Sequence, residues 1–143
     1  MAVRIAFAVF TAIVLASCAR TPDDQRIREH IRSMQEAVEQ RDPRAFLAYV
    51  TPDFSGNDNT VDRNGLGNVL RVEVLRNDNV TVVLGPFDVQ MQGDRATVDL
   101  VATITGGQGG LIPERGAIYS IASGWRRDGK DWRCYAATWE QKL

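Results

Sequence analysis

The 143-residue sequence predicts an α+β domain in which helices come first and a curved antiparallel sheet follows. Three observations carry this. Ile27, Ile31, Met34 and Val38 recur at helical spacing, as on a helix that buries one face. From Val80 the apolar period becomes two, the mark of strands with one buried face. Gly93-Asp94 and Asp128-Gly129 supply tight hairpin turns within that region.

The first helix starts at Thr21-Pro22-Asp23-Asp24, with threonine as N-cap, proline where a missing N–H costs nothing, and acids at the positive dipole end. Burying its four apolar side chains offers about 1.5 to 3 kcal/mol each before entropy is subtracted. His30 lies at the edge of that stripe and reads as a partly buried packing residue. A second helix starts at Asp42-Pro43, carries Ala45, Phe46, Leu47, Tyr49 and Val50, and ends near Thr51, because Pro52 disfavours helical backbone at its predecessor. Asp53 to Thr60 is a polar loop with Gly56, Asn57, Asp58 and Asn59. Asp62 caps a third helix through Leu66, Val69, Leu70 and Val74. Gly65 and Gly67 weaken it, and alternating Val72 and Val74 leave a strand open there.

Val80, Val82 and Leu84, then Phe87, Val89 and Met91, form one long strand. The step of three across Gly85-Pro86 keeps both halves on one face only with an extra residue, so a bulge or sharp bend belongs there. After Gly93-Asp94, Ala96, Val98, Leu100, Ala102 and Ile104 alternate cleanly with Thr97, Asp99, Val101 and Thr103. Gly106 to Gly110 lacks the helix and lysine ending of a phosphate loop and reads as a flexible hairpin loop. Ala117 to Arg127 and Trp132 to Trp139 are the last strands.

Ahead of the domain, Arg4 precedes an apolar run from Ile5 to Leu15 that ends in small residues, the layout of a signal peptide. The run is well short of the roughly 20 residues that span a bilayer core. Leu15-Ala16-Ser17-Cys18 resembles the bacterial lipobox. The resemblance implies that Cys18 is lipidated, that cleavage precedes it, and that fatty chains of the palmitate type hold the protein at a membrane. Each buried methylene contributes about 0.8 kcal/mol, so several chains anchor stably where one holds marginally. Ala19 is not the aspartate that the same family uses for inner-membrane retention, which implies the periplasmic face of an outer membrane. The expected organisation is signal peptide 1–17, lipidated anchor and short linker 18–22, and a single domain 23–143.

The 126 residues after the signal suffice for one compact domain and not two. They carry 16 basic and 18 acidic side chains, a net charge of −2, with no polybasic block, which excludes a general nucleic-acid binder. With Cys18 lipidated, Cys134 has no disulfide partner and reads as a small buried hydrophobe in an apolar strand. One histidine and no cysteine pair give no metal site, and no cofactor is implied.

The helix ending Gln40-Arg41-Asp42-Pro43, the Ala45-Phe46-Leu47 helix with Asp53-Phe54 behind it, and the closing Trp125 to Trp139 hairpin resemble the nuclear transport factor 2-like superfamily, also called SnoaL-like or ketosteroid isomerase-like. The likeness covers about residues 23–140. It implies a cone in which a strongly bent antiparallel sheet wraps the first helix and encloses a pocket, here bordered by Met34, Tyr49, Phe54, Ile121, Trp125 and Trp139. One fold hosts many activities. In the isomerase branch a carboxylate base works with a tyrosine and a protonated aspartic acid. Asp58 falls at the base position, but Met34 and Ile121 occupy the other two.

Three functions follow from the resemblance. One is a noncatalytic, membrane-anchored envelope lipoprotein binding a small apolar ligand or a protein partner. Another is an enzyme of the polyketide cyclase, isomerase or dehydratase type using Asp58 or Asp53, whose pKa an apolar cone would raise. The third is a dimeric scaffold pairing through the outer sheet face. Arg126, Arg127, Lys130 and Arg133 cluster at the last turn, as a solvated tip or as a patch for acidic headgroups or a protein. Trp125, Trp132 and Trp139, spaced by seven, leave core packing and pocket lining both open.

Overall fold

A computed structural model describes residues 21–107 and 115–143. Cys18 with its flanking signal, and 108–110 of the glycine-rich loop, lie outside the described residues. The elements are helix α1 (Asp23–Glu39), helix α2 (Pro43–Leu47), strand β1 (Val50–Gly56), strand β2 (Val61–Asp62), helix α3 (Arg63–Arg76), and strands β3 (Asn79–Leu84), β4 (Asp88–Gln92), β5 (Arg95–Gly107), β6 (Arg115–Asp128) and β7 (Asp131–Gln141). The seven strands form one sheet ordered β2-β1-β7-β6-β5-β3, with β4 also paired to β5.

α1 buries the predicted stripe: Ile27 and Ile31 are enclosed, while Met34 and Val38 face the interior beside buried Ala37. Its start differs from the expected threonine cap. Pro22 occupies the cap position in extended backbone and no side chain caps the helix; Asp23 and Asp24 alone supply the first-turn acids. The helix ends in a Schellman motif, in which the Asp42 N–H donates to the Ala37 carbonyl and the Arg41 N–H to that of Val38, with Arg41 at φ 58°. The Arg41 guanidinium donates to the Val74 carbonyl at 2.7 Å and ties this corner to α3. Asp42 caps α2 by accepting from the Ala45 N–H, and Asp62 caps α3 by accepting from that of Gly65.

The second helix stops sooner than expected, and the polar loop is partly strand. Val50–Gly56 is β1, which runs parallel to β7 with Val50 opposite Cys134 and Ser55 opposite Ala136. Pro52 is therefore not what ends the helix, which stops at Leu47; it sits inside β1, where its missing N–H falls in the interruption between those two pairs and no ladder bond is lost.

The expected bend is present. Leu84 pairs with Ala102 and Asp88 with Asp99, so three residues of the β3–β4 edge oppose two of β5. The Gly85 N–H donates to the Val101 carbonyl inside that bulge. Val80, Val82, Leu84, Phe87 and Val89 therefore share the inner face, whereas Met91, beyond them, is exposed. A second bulge sits on β7, where Gly124 pairs with Ala136 and Trp125 with Cys134, leaving Tyr135 as the extra residue.

That bulge explains the tryptophan spacing. Trp132 and Cys134 face inward, Tyr135 breaks the phase, and Ala137 and Trp139 face inward again. Trp125, Trp132, Ile27, Val50, Phe54, Ala96, Val98 and Cys134 belong to the core. β5 extends through Gly106 and Gly107, which pair with Val80 and Asn79, so these two glycines are strand rather than loop. No helix among the described residues is long and apolar enough to cross a membrane.

Candidate functional site

The bent sheet and the helices enclose a cavity of about 350 Å³. α1 contributes Ile31, Met34 and Val38, α2 Phe46, and α3 Leu66, Val69, Leu70 and Val74. The sheet contributes alternate residues of each strand: Val80, Val82 and Leu84; Leu100, Ala102 and Ile104; Tyr119, Ile121, Ser123 and Trp125; Ala137 and Trp139. Alternation on a pleated sheet puts every second side chain on one face, so a curved strand set yields a continuous apolar wall. Exposed lining residues mark the rim: Asp42, Val69 and Glu73 on the helical side and Gly116 on β6.

Five of the six predicted pocket residues, Met34, Phe54, Ile121, Trp125 and Trp139, line this cavity. Tyr49 does not. It lies before β1, where its ring packs on His30 with centroids 4.7 Å apart, and its carbonyl accepts from the Cys134 N–H. The Tyr49 assignment rested on a helix that ends two residues earlier.

Neither candidate carboxylate reaches the cavity. Asp53 points outward from β1 and accepts two hydrogen bonds from the Arg126 guanidinium at 2.9 and 2.7 Å. That bond lowers the Asp53 carboxyl from 3.8 to about 2, the opposite of the raised value a general base needs. Asp58 is exposed at the apex of the β1–β2 hairpin, where Asn57, Asp58 and Asn59 have φ of 45°, 56° and 67°. The loop is organised by Asn57, whose Oδ1 accepts from the Trp139 N–H at 2.9 Å and whose N–H donates to the Ala137 carbonyl at 3.0 Å. The two lining carboxylates stand at the rim, and Asp42 is engaged in capping α2.

Cys134 is buried in the core, its thiol pushed up to about 12 by burial, and donates to the Ala136 carbonyl at 3.3 Å. His30 bonds Asp131 through Nε2 at 2.7 Å, outside the cavity. Burial raises the Asp131 carboxyl, but bonds from His30 and the Trp132 N–H, with the charges of His30 and Arg26, outweigh it and leave the group below its ordinary value. Around the last turn, Arg126 pairs with Asp53, Arg127 with Asp23 and Asp94, and Arg133 with Asp128. A headgroup-binding patch would have to break those pairs. Asp99 is exposed on the outer face, opposite Asp88. Among the described residues no group of three or more His, Cys, Asp or Glu could hold a metal ion.

Several lining residues escape sequence reasoning. Tyr119 and Ser123 share the inward phase of Ile121 and Trp125, so alternation along β6 is the signal that finds them. Asn77 had no such signal: it is a polar residue just beyond α3, yet it is buried in the cavity wall.

No protein-family model matches the chain, and no curated protein matches it. Solved structures do. Bd1075 of Bdellovibrio bacteriovorus superposes with a TM-score of 0.70 at 10% identity over 82% of this chain and 41% of that one, so this chain spans less than half of that protein. A candidate dehydratase of the NTF2-like family from Streptomyces avermitilis gives 0.69 at 18% identity over 85% and 96% of the two chains. An NTF2-like protein with a cystatin-like fold from Novosphingobium aromaticivorans gives 0.69 at 19% identity over 84% and 82%. The domain therefore has the nuclear transport factor 2-like, cystatin-like fold.

Proposed function

We propose that this is a lipid-anchored protein of the bacterial envelope whose domain holds a small apolar ligand without transforming it. The carrying observation is the cavity of about 350 Å³, walled by aliphatic and aromatic side chains and lacking, among the described residues, any lysine, arginine or histidine. A concave apolar pocket with a few polar groups is the usual form of a small-molecule site. A dehydratase reading, which the Streptomyces neighbour's description suggests, needs a base beside the substrate. Asp53 and Asp58 lie outside the cavity, and the lining carboxylates are at its rim.

The anchor rests on the lipobox residues Leu15 to Cys18. With α1 beginning at Asp23, the tether is five residues, at most about 17 Å of extended chain. A domain held that close meets ligands that partition into membranes before it meets dilute aqueous ones. The periplasmic face of an outer membrane is the compartment this reading assigns.

The test is mass spectrometry on protein extracted from native membranes. The expected result is an apolar compound released near stoichiometrically, together with an amino-terminal Cys18 peptide carrying diacylglycerol on its thiol and a fatty acyl chain on its amino group. Ligand-free protein that also takes up no apolar compound would overturn the binding reading. Unchanged membrane fractionation of Cys18→Ala would overturn the anchor.

A further inference from the structure

We propose that Asn77 is the polar anchor of the cavity and that the ligand is a neutral amphiphile presenting a hydrogen-bond donor, such as an alcohol or phenol. The inference rests on the ligand-binding reading above. Asn77 lines the cavity and is only 7% exposed. Its Nδ2 donates to the Glu73 carbonyl at 3.0 Å. Rotating the amide would set two acceptors against each other, so the bond fixes which end is which. Oδ1 is then the free end, and it is buried without a partner.

A buried acceptor without a donor costs about as much as a lost hydrogen bond, and native folds rarely leave one unexplained. Thr51 Oγ1 and Trp132 Nε1 are also unpartnered, but neither residue lines the cavity. Of the three residues, Asn77 alone belongs to the cavity wall. Gly106 makes the space for it: a Cβ at that position would lie 2.6 Å from Asn77 Cγ and Oδ1, and Gly106 itself lines the cavity.

The charge of the wall narrows the ligand class. The ionisable lining side chains of Asp42 and Glu73 are acidic and stand at the rim, and no lining lysine, arginine or histidine among the described residues offers a counter-charge. An ionised fatty acid would bring acceptor against acceptor at Asn77 and negative charge past Glu73. A hydroxyl donates to Oδ1 and carries no charge to desolvate.

The experiment uses the full chain carrying Cys18→Ala, titrated with the isomers 1-octanol and heptyl methyl ether and with octanoate. Emission of Trp125 and Trp139, both in the cavity wall, reports occupancy. The expected result is binding of octanol about tenfold tighter than the ether, with octanoate weakest. Asn77→Leu should bring octanol to the affinity of the ether and leave the ether unchanged. If the wild-type chain binds the ether as tightly as the alcohol, Oδ1 takes no bond from the ligand and the anchor is overturned while the apolar cavity stands. Preferential binding of octanoate, or octanol preference surviving in Asn77→Leu, also overturns it. If no member of the series binds, the ligand-binding reading falls with it. Should Asn77→Leu fail to fold, the wild-type comparison of the two isomers decides alone.

Discussion

Gly56 and Trp139 are built against one another. A Cβ on Gly56 would lie 2.8 Å from the six-membered ring of Trp139 and 3.0 Å from Phe54, both of which line the cavity. The missing side chain therefore sets the position of the indole, and the indole sets one wall of the site. Gly56→Ala must push Trp139 inward. The expected cost is about 1 to 3 kcal/mol, as for other overpacked cores, with a shift in tryptophan emission. Urea denaturation followed by fluorescence checks both, and an unchanged midpoint with unchanged emission would contradict the packing.

The β1–β2 hairpin separates a structural residue from a tolerant one. Asn57 adopts φ 45° and its Oδ1 holds the Trp139 N–H, so Asn57→Ala loses a hydrogen bond and places a less suited residue in left-handed backbone. Together these should cost about 2 kcal/mol. Asp58 also has positive φ but is exposed, and asparagine tolerates that backbone. Asp58→Asn should leave the thermal midpoint within a degree or two and leave ligand binding untouched. A large loss of either would return Asp58 to consideration as a working residue.

Acid should destabilise the fold through two carboxylates. Asp53 titrates at about 2 beside Arg126 instead of 3.8, and Asp131 is also held below its ordinary value. A depressed folded pKa gives stability that is complete above the unfolded value and is lost as pH falls toward the folded one. The loss should therefore fall below about pH 4 and continue to about pH 2. Asp53→Asn combined with Asp131→Asn should flatten that limb of the stability curve. Chemical denaturation across pH 2 to 7 would show it, and an equally steep limb in the double variant would refute the assignment.

The thiol of Cys134 offers a local probe of opening. It is buried, and burial pushes it up to about 12, so the thiolate that reacts with alkylating reagents is scarce in the folded state. In the Cys18→Ala chain it is the one remaining cysteine. Labelling at pH 8 should proceed only as the domain unfolds and should accelerate with urea in parallel with the loss of tertiary signal. Fast labelling in native buffer would show that the thiol is reached without unfolding, through the cavity it borders or by local opening of β7.

Much of this architecture is legible where burial and local period coincide. Along β5, Ala96, Val98, Leu100, Ala102 and Ile104 alternate because one face is covered throughout, and the three-residue step at Gly85-Pro86 announces its own bulge. β1 is hidden for the opposite reason. It pairs with β7 at a few points around Pro52, and its outward residues, Pro52 and Asp53, are those of a loop. Trp132 and Trp139 share a face only because Tyr135 is an extra residue, which the spacing of seven cannot announce by itself. His30 and Asp131 meet across 101 positions of sequence, and Asn77 is buried by long-range packing against Gly106. Such pairs are products of the assembled fold and leave no periodic trace.

One substitution made at two places on the same face of β5 separates cavity from core. Ala96 is 1% exposed and packed in the core, whereas Ala102 is 3% exposed and lines the cavity. Leucine at 96 has no free volume to enter and should destabilise by about 1 to 3 kcal/mol. Leucine at 102 projects its added carbons into the cavity, where burying them is worth up to about 0.8 kcal/mol per methylene. Ala102→Leu should therefore be neutral or stabilising while weakening uptake of apolar ligands at least tenfold. Paired denaturation curves and octanol titrations on the two variants test this. If both lose stability alike, the interior is solid packing and the ligand reading loses its physical basis; if they diverge as stated, the space is a site and not a packing defect.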